Sequence, residues 1–163
     1  MTVPSPPWIV RPAEPGDIPA MAAIRSAQGE TPDFWERRIA GYLDGTHNPQ
    51  HALPERAVFV ADERGALVGL VAGHRTVRHD CQGELQWIDV VTDRRRCGIA
   101  GLLILQMAGW FVQQQALRVC VNVAAPNFPA RALYAKYGAQ PFQEHWMLWP
   151  DIRSRPLPSP SAE

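Results

Sequence analysis

Apolar and polar positions along this chain fall into separate patterns, each of which predicts an element. After a proline-rich lead, residues 1–7, Trp8 to Arg11 reads as a short strand. Asp17 is placed to cap a helix that has Pro19 in its first turn and continues through Met21, Ala22, Ile24 and Arg25. A second helix is predicted over Pro32 to Tyr42, capped by Thr31 or Asp33, because Phe34, Trp35, Ile39 and Leu43 return to one side. The stretch DGTHNPQHALPE reads as loop. A hairpin follows, with strands at Ala57 to Ala61 and Leu67 to His74 about a turn at Asp62 to Gly65. GELQWIDVVT is the next strand, and the apolar run opened by Gly98 is a helix to about Gln114. LRVCVNV alternates as a strand, and PARALYAKYG is a short helix ended by Gly138. PFQEHWMLW reads as a final strand or pair of strands, with WMLW alternatively a core turn.

The order is strand, two helices, about three strands, helix, strand, helix, strand. It predicts a mixed α/β (α+β) architecture with helices on both faces of one sheet, not a uniform doubly wound series. The length, 163 residues with 46% in the hydrophobic set, fits one domain over residues 8–152. The proline-rich tail, 153–163, is expected to order only against a partner surface. Sixteen basic and sixteen acidic residues cancel, so no overall charge draws the chain to nucleic acid or an anionic membrane. The longest apolar segment, Ile99 to Val112, is shorter than the roughly 20 residues a bilayer needs. Three cysteines, Cys81, Cys97 and Cys120, lack CxxC spacing, and the N-terminus has no secretion-signal pattern, so a reducing cytoplasm is expected. His74 and His79, with Asp80 and Cys81 nearby, lack a tight ligand pattern. They read as loop, and no metal site is expected.

Where charge matters it is local. In DRRRCGIAG a strand ends near Val91, Thr92 and Asp93 turn, and a helix begins at about Gly98. The first amides of a helix have no internal partners and carry partial positive charge, so they suit an anion. Gly98 and Ala100 leave those amides uncovered, and Arg95 and Arg96 can add bidentate contacts to phosphate oxygens. A diphosphate fits such a concavity better than a lone carboxylate. The competing reading is a solvent-facing arginine cluster before a core helix. Neither GxGxxG nor GxxxxGK[ST] is present. Cys97 stands beside the helix start, where a thiolate is stabilised, but has no histidine partner identifiable in sequence.

RRCGIA, Arg95 to Ala100, resembles the [Arg/Gln]-x-x-Gly-x-[Gly/Ala] signature of GNAT-type N-acetyltransferases. V-x-T at Val90 to Thr92 stands where that family has V-x-P. NFPARALYAKYGA, Asn127 to Ala139, resembles its N-x-x-A-x-x-L-Y-x-x-x-G-[Phe] element, and IVRPAEPGD its opening strand and helix start. The likeness covers roughly Ile9 to Trp149. Arg96 departs from a usual glycine and Ala139 from a usual phenylalanine, the latter offset by Phe142. The resemblance implies the GNAT fold, a central mixed, mostly antiparallel sheet of six to seven strands flanked by about four helices, with acetyl-CoA as acetyl donor. It implies that the segment Arg95, Arg96, Cys97, Gly98, Ile99 and Ala100 holds the pyrophosphate. The backbone at Val90, Val91 and Thr92 would pair with the pantetheine arm, and a strand amide near Val90 or Val91 would polarise the acetyl carbonyl. The strands Glu84 to Val91 and Leu117 to Val123 would splay apart. Asn127 would contact the cofactor, and Tyr134 would protonate the departing thiolate.

Two acids can serve as general base. Strand alternation sets Glu84 with Gln86, Ile88 and Val90 on one face and Leu85, Trp87 and Asp89 on the other, so both reach one pocket only if a bulge intervenes. The resemblance favours Glu84, with Asp89 next. The acceptor, a primary amine of a small molecule or peptide, would be lined by Gln28, Glu30, Phe34 and Trp35 on one side and His145, Trp146 and Trp149 on the other, with Glu30 and Glu36 attracting a cation. A homodimer is common in the family. The alternative is a non-catalytic acyl-CoA-binding regulatory domain, from which loss of the tyrosine or the strand acid would be expected; neither is lost.

Overall fold

The computed structural model describes residues 7–154. Strands β1 (Trp8–Pro12), β2 (Ala52–Glu63), β3 (Ala66–Thr76) and β4 (Gly83–Val90) form an antiparallel series. β4 and β5 (Val119–Asn122) pair in parallel, and β6 (Gln140–Gln143) and β7 (Trp146–Trp149) are a hairpin whose second strand runs antiparallel to β5. The sheet order is β1-β2-β3-β4-β5-β7-β6. Four α-helices accompany it: α1 (Ile18–Ser26), α2 (Pro32–Asp44), α3 (Ile99–Gln113) and α4 (Phe128–Lys136). Among the described residues, seven strands, mostly antiparallel, with four α-helices are the architecture expected from the sequence.

Each face of the sheet has its own core. Met21, Ala22, Ile39 and Tyr42 of α1 and α2 bury against Val58, Val60, Leu70, Ala72 and Trp87. On the opposite face Leu103, Ile104, Met107 and Phe111 of α3, with Tyr134 of α4, bury against Phe59, Val71 and Leu85. Period-2 alternation along β3 explains the division: Leu70 and Ala72 face α1 and α2, while Gly69, Val71 and Gly73 face α3. Those glycines set how closely α3 approaches. A Cβ on Gly73 would stand 2.9 Å from Met107 Sδ and Phe111 Cζ, and one on Gly83 2.7 Å from two ring carbons of Phe111. The apolar run of α3 is thereby pressed onto bare backbone. Thr31 caps α2 by accepting the Phe34 amide at 3.1 Å, and Asn127 caps α4 by accepting that of Ala130 at 3.3 Å.

Several elements differ from the sequence reading. β2 begins at Ala52, inside the stretch read as loop; Ala52 pairs with Thr76, and a register shift before Arg56 absorbs the Leu-Pro-Glu that hid the strand. β3 runs on to Thr76, so His74 is a fully buried strand residue and not part of a loop. β5 starts only at Val119, because the amides of Leu117 and Arg118 are taken by the Gln82 side chain. WMLW is strand β7 and not a core turn. Asp17 does not cap α1; its carboxylate accepts the Glu14 amide at 2.8 Å and pairs with Arg11. Phe142 does not fill the space beside Ala139. It is 37% exposed and its ring stands against His79, while Ala139 belongs to the α3-side core with Trp149. Residues 1–6 of the lead and 155–163 of the tail lie outside the described residues.

Candidate active site

The site grows from two irregularities in β4. The ladder to β5 is short: Gly83, Glu84 and Leu85 pair with Val119, Cys120 and Val121, and there it stops. From Gln86 onward β4 is held only by β3, and the two strands part. The second irregularity is a bulge. Ala72 pairs with Trp87 and Gly73 with Leu85, which leaves Gln86 unmatched. Paired residues share a face, so Glu84 opposite His74 comes to the same face as Trp87 opposite Ala72 and Asp89 opposite Leu70. Both acids thus reach the α1/α2 side, as only a bulge allows.

Two cavities open at this parting. One, of about 670 Å³, is bounded by Val90, Arg94, Arg95, Arg96, Gly98 to Gly101 and the α4 residues Ala130, Leu133 and Lys136. The other, of about 520 Å³, is bounded by Arg78, Glu84 to Ile88, Asn122 and Trp146. They share Arg25, Ile88 and Tyr134 as a common wall.

The first cavity is basic and rich in unspent donors. Gly98 precedes α3 with φ 84°, a left-handed turn that glycine adopts without strain, and the first amides of α3 open toward the cavity. Arg94, first of the three arginines, is spent on Glu63 through a two-pronged pair (2.9 and 3.0 Å), so it fastens the turn to β2. Arg95 makes only a 3.4 Å contact to the Val90 carbonyl, and Arg96 sits at φ 64°. Val91 donates its amide to Val68 at 2.9 Å, toward β3. Alternation therefore points the Val90 amide and carbonyl at the unpaired edge. Val91 is no candidate to polarise a carbonyl, and Thr92 has left the strand for a 3-10 turn. Neither they nor Cys97 bounds the cavity. Asn127 does, as does Gln28, which the sequence reading assigned to the acceptor.

The second cavity holds the carboxylate. Glu84 is 5% exposed, and its Oε1 accepts Arg78 Nε at 3.0 Å. No described residue hydrogen-bonds its Oε2. Arg78 also donates to the Gln50 carbonyl and lies 4.9 Å over the Trp146 ring. Asp89 is committed elsewhere: Arg25 holds its Oδ2 at 2.6 Å, while burial pushes its pKa upward against that pairing. Arg25 is sandwiched over Trp35 (4.4 Å) and Trp87 (5.5 Å). Tyr134 is 5% exposed, and burial, aided by the nearby Asp89, pushes its phenol up. It therefore stays protonated through the neutral range.

Other expected lining residues stand elsewhere. Trp35 is a layer behind, edge-on to Trp87. Glu30 is exposed at φ 65°, and Glu36 and Phe34 bound neither cavity. His145 is exposed, and Trp149 is a core residue whose indole donates to the Tyr137 carbonyl. Trp146 does line the second cavity. Arg25, Arg78 and His74 were not read from sequence as site residues. Only Arg25 carried a signal: it lies four residues after Met21 and three after Ala22, on the buried stripe of α1 where a guanidinium needs a partner. Among the described residues no group of three His, Cys, Asp or Glu side chains could hold a metal.

Comparison with known proteins agrees with this geometry. The search of curated proteins finds no match. Among solved structures, a GNAT-family acetyltransferase from Desulfovibrio desulfuricans superposes with a TM-score of 0.72 at 14% identity, covering 89% of this chain and 99% of that one. The PaiA N-acetyltransferase of Thermoplasma acidophilum, solved in complex with coenzyme A, gives 0.65 at 12% identity, covering 86% and 96%. The Escherichia coli ribosomal-protein-S18-alanine N-acetyltransferase gives 0.66 at 18%, covering 88% and 94%. At such identities the likeness is one of fold. Residues 21–139, well over half the sequence, match the Acetyltransferase (GNAT) family itself, and they span the parted strands, the arginine turn and Tyr134; the chain belongs to that family.

Proposed function

We propose that the protein transfers the acetyl group of acetyl-CoA directly to a primary amine of a small molecule or peptide. The observation that carries this reading is the pair of cavities meeting at Arg25, Ile88 and Tyr134, one walled by cations and free amides, the other by a carboxylate. The first suits acetyl-CoA on its chemistry. Arg95 and Arg96 with the first amides of α3 match a pyrophosphate, and the unpaired Val90 edge can receive an amide-bearing arm as an added strand. Acetyl-CoA, when bound, supplies an acetyl group already activated as a thioester.

Transfer to nitrogen needs a neutral amine, a polarised carbonyl and a proton for the leaving sulfur. Glu84, whose Oε1 is held by Arg78, would take the ammonium proton on Oε2, whereas Asp89 is tied to Arg25. The Val90 amide is the strand donor left for the carbonyl, and Tyr134 keeps a proton on Oη at the common wall. In the acceptor cavity Arg78 pairs with Glu84 and Arg25 with Asp89, which favours an amine without further positive charges over a polycation.

The test is isothermal titration with acetyl-CoA, desulfo-coenzyme A and adenosine 3',5'-bisphosphate, then thiol release against an amine panel. Micromolar affinity that declines stepwise as the acyl and pantetheine parts are removed, with release stimulated by an amine, is expected. Absence of binding by all three ligands overturns the reading.

A further inference from the structure

Behind Glu84 lies a buried polar pair that the chemistry above leaves unused. His74, on β3, is 0% exposed, and so is Tyr42 of α2. Tyr42 Oη and His74 Nδ1 are 2.9 Å apart, and His74 Nε2 lies 3.7 Å from Glu84 Oε1 with no hydrogen-bond partner among the described residues. Leu70 and Ala72 precede His74 on the same face of the strand, in an apolar core where a leucine would satisfy packing. A histidine there buries polar atoms at a cost unless they are used.

Bonding logic fixes the tautomer. Burial raises the Tyr42 phenol, so it keeps its proton, and among the described residues Nδ1 is the acceptor its hydroxyl meets, so Tyr42 donates to it. The imidazole proton is then on Nε2, and the nearest charged acceptor is Glu84 Oε1. Arg78 Nε donates to that same oxygen from the other side. Both neighbours converge on Oε1, and Oε2 is left to the cavity. The 3.7 Å separation is longer than a hydrogen bond, as catalytic contacts commonly are before ligands bind.

We propose that His74, backed by Tyr42, is a positioning residue for Glu84: its Nε2–H fixes Oε1 so that Oε2 faces the acceptor ammonium. The proton passes from that nitrogen to Oε2, freeing the nitrogen lone pair for attack, and leaves through the open cavity. The inference rests on Glu84 as the base, and its test separates the two.

In long-range ¹H–¹⁵N spectra of the intact protein, His74 should appear as the neutral Nε2–H tautomer, and Glu84→Gln or Tyr42→Phe should shift its ring signals. An Nδ1–H tautomer, or ring signals indifferent to Glu84→Gln, overturns the proposal whatever the acceptor. In thiol-release assays with tyramine and an alanine-initiated tetrapeptide as probe amines, His74→Leu should lower kcat about tenfold. KM and acetyl-CoA affinity should stay within about twofold. His74→Gln, whose amide nitrogen can overlay Nε2, should restore most of the loss, a recovery that packing alone does not give. Undiminished turnover in Glu84→Gln would remove the base itself. Loss in Glu84→Gln beside full kcat in His74→Leu would remove His74 alone.

Discussion

Gly83→Ala puts the close seating of α3 to a quantitative test. Gly83 opens β4 and the short ladder to β5, and its backbone φ is not left-handed, so alanine meets no conformational barrier there. Fewer unfolded conformations would stabilise the variant by about 0.4–1 kcal/mol. Against this, the new methyl would stand 2.7 Å from two carbons of the Phe111 ring and 3.2 Å from Val119 Cγ2. Phe111 is 1% exposed, among Met107, Val119 and Leu85, so the ring cannot swing into solvent. Overpacking of this kind costs about 1–3 kcal/mol. Overpacking wins, leaving a net loss of about 1–2 kcal/mol. A domain of this size loses about 2–4 °C per kcal/mol, so the melting midpoint should fall by about 2–8 °C. Thermal denaturation followed by circular dichroism reads this directly. Phe111→Leu, destabilising alone, should recover part of the loss when combined with Gly83→Ala, a coupling of about 0.5 kcal/mol or more. A Gly83→Ala midpoint at or above the parent's, or strict additivity in the double variant, would refute the packing argument.

The three arginines should separate by assay. Arg95→Ala and Arg96→Ala are expected to weaken acetyl-CoA binding in titration while leaving the melting midpoint in place, and Arg94→Ala to do the reverse through its pair with Glu63. Tyr134→Phe should lower kcat at unchanged acetyl-CoA affinity; equal turnover in parent and variant would dismiss Tyr134 as proton donor. Arg11 holds the Asp17 carboxyl below its ordinary range. A depressed carboxylate contributes stability above the unfolded value of about 4 and loses it as pH falls through the lower folded value. Asp17→Asn should accordingly melt below the parent at pH 7, the gap narrowing below about pH 4; a gap that does not change with pH contradicts the pairing.

Much of this molecule is legible in its residues where the signal is local. Gly98 at the mouth of an apolar helix and the turn at Asp62 to Gly65 both act within a few positions of themselves, and the structure has them as their spacing implies. The family signature points to the arginine turn, but among three adjacent arginines nothing local marks Arg94 as the one claimed by Glu63, 31 residues earlier. The active-site face is harder to read because it depends on register. Perfect alternation sets Glu84 against Asp89, and one unmatched residue, Gln86, reverses that. His74 and Arg78 acquire meaning only beside Glu84, and Arg25 only beside Asp89, 64 residues away. Trp35 and Trp149 were expected in the cavity because tryptophan suits a wall as well as a core; burial between neighbouring elements settles the matter, and it has no signature in sequence.

The Gln86 bulge also bears on how such a strand can change over generations. On its amino-terminal side Glu84 faces the cavity and Leu85 faces α3; beyond it Trp87 and Asp89 face the cavity side. Deleting Gln86 would set Leu85 beside Trp87 in regular alternation and leave every facing in place, whereas drawing Gln86 into the ladder would reverse all that precedes it, turning Leu85 to the cavity and driving the Glu84 carboxylate toward Phe111 and Met107. Among descendants of this sequence, position 86 should therefore be free to vary in identity, or to be lost, so long as Glu84 stays opposite His74 and Trp87 opposite Ala72. The chemistry is written into which residues the ladder pairs as much as into their kinds.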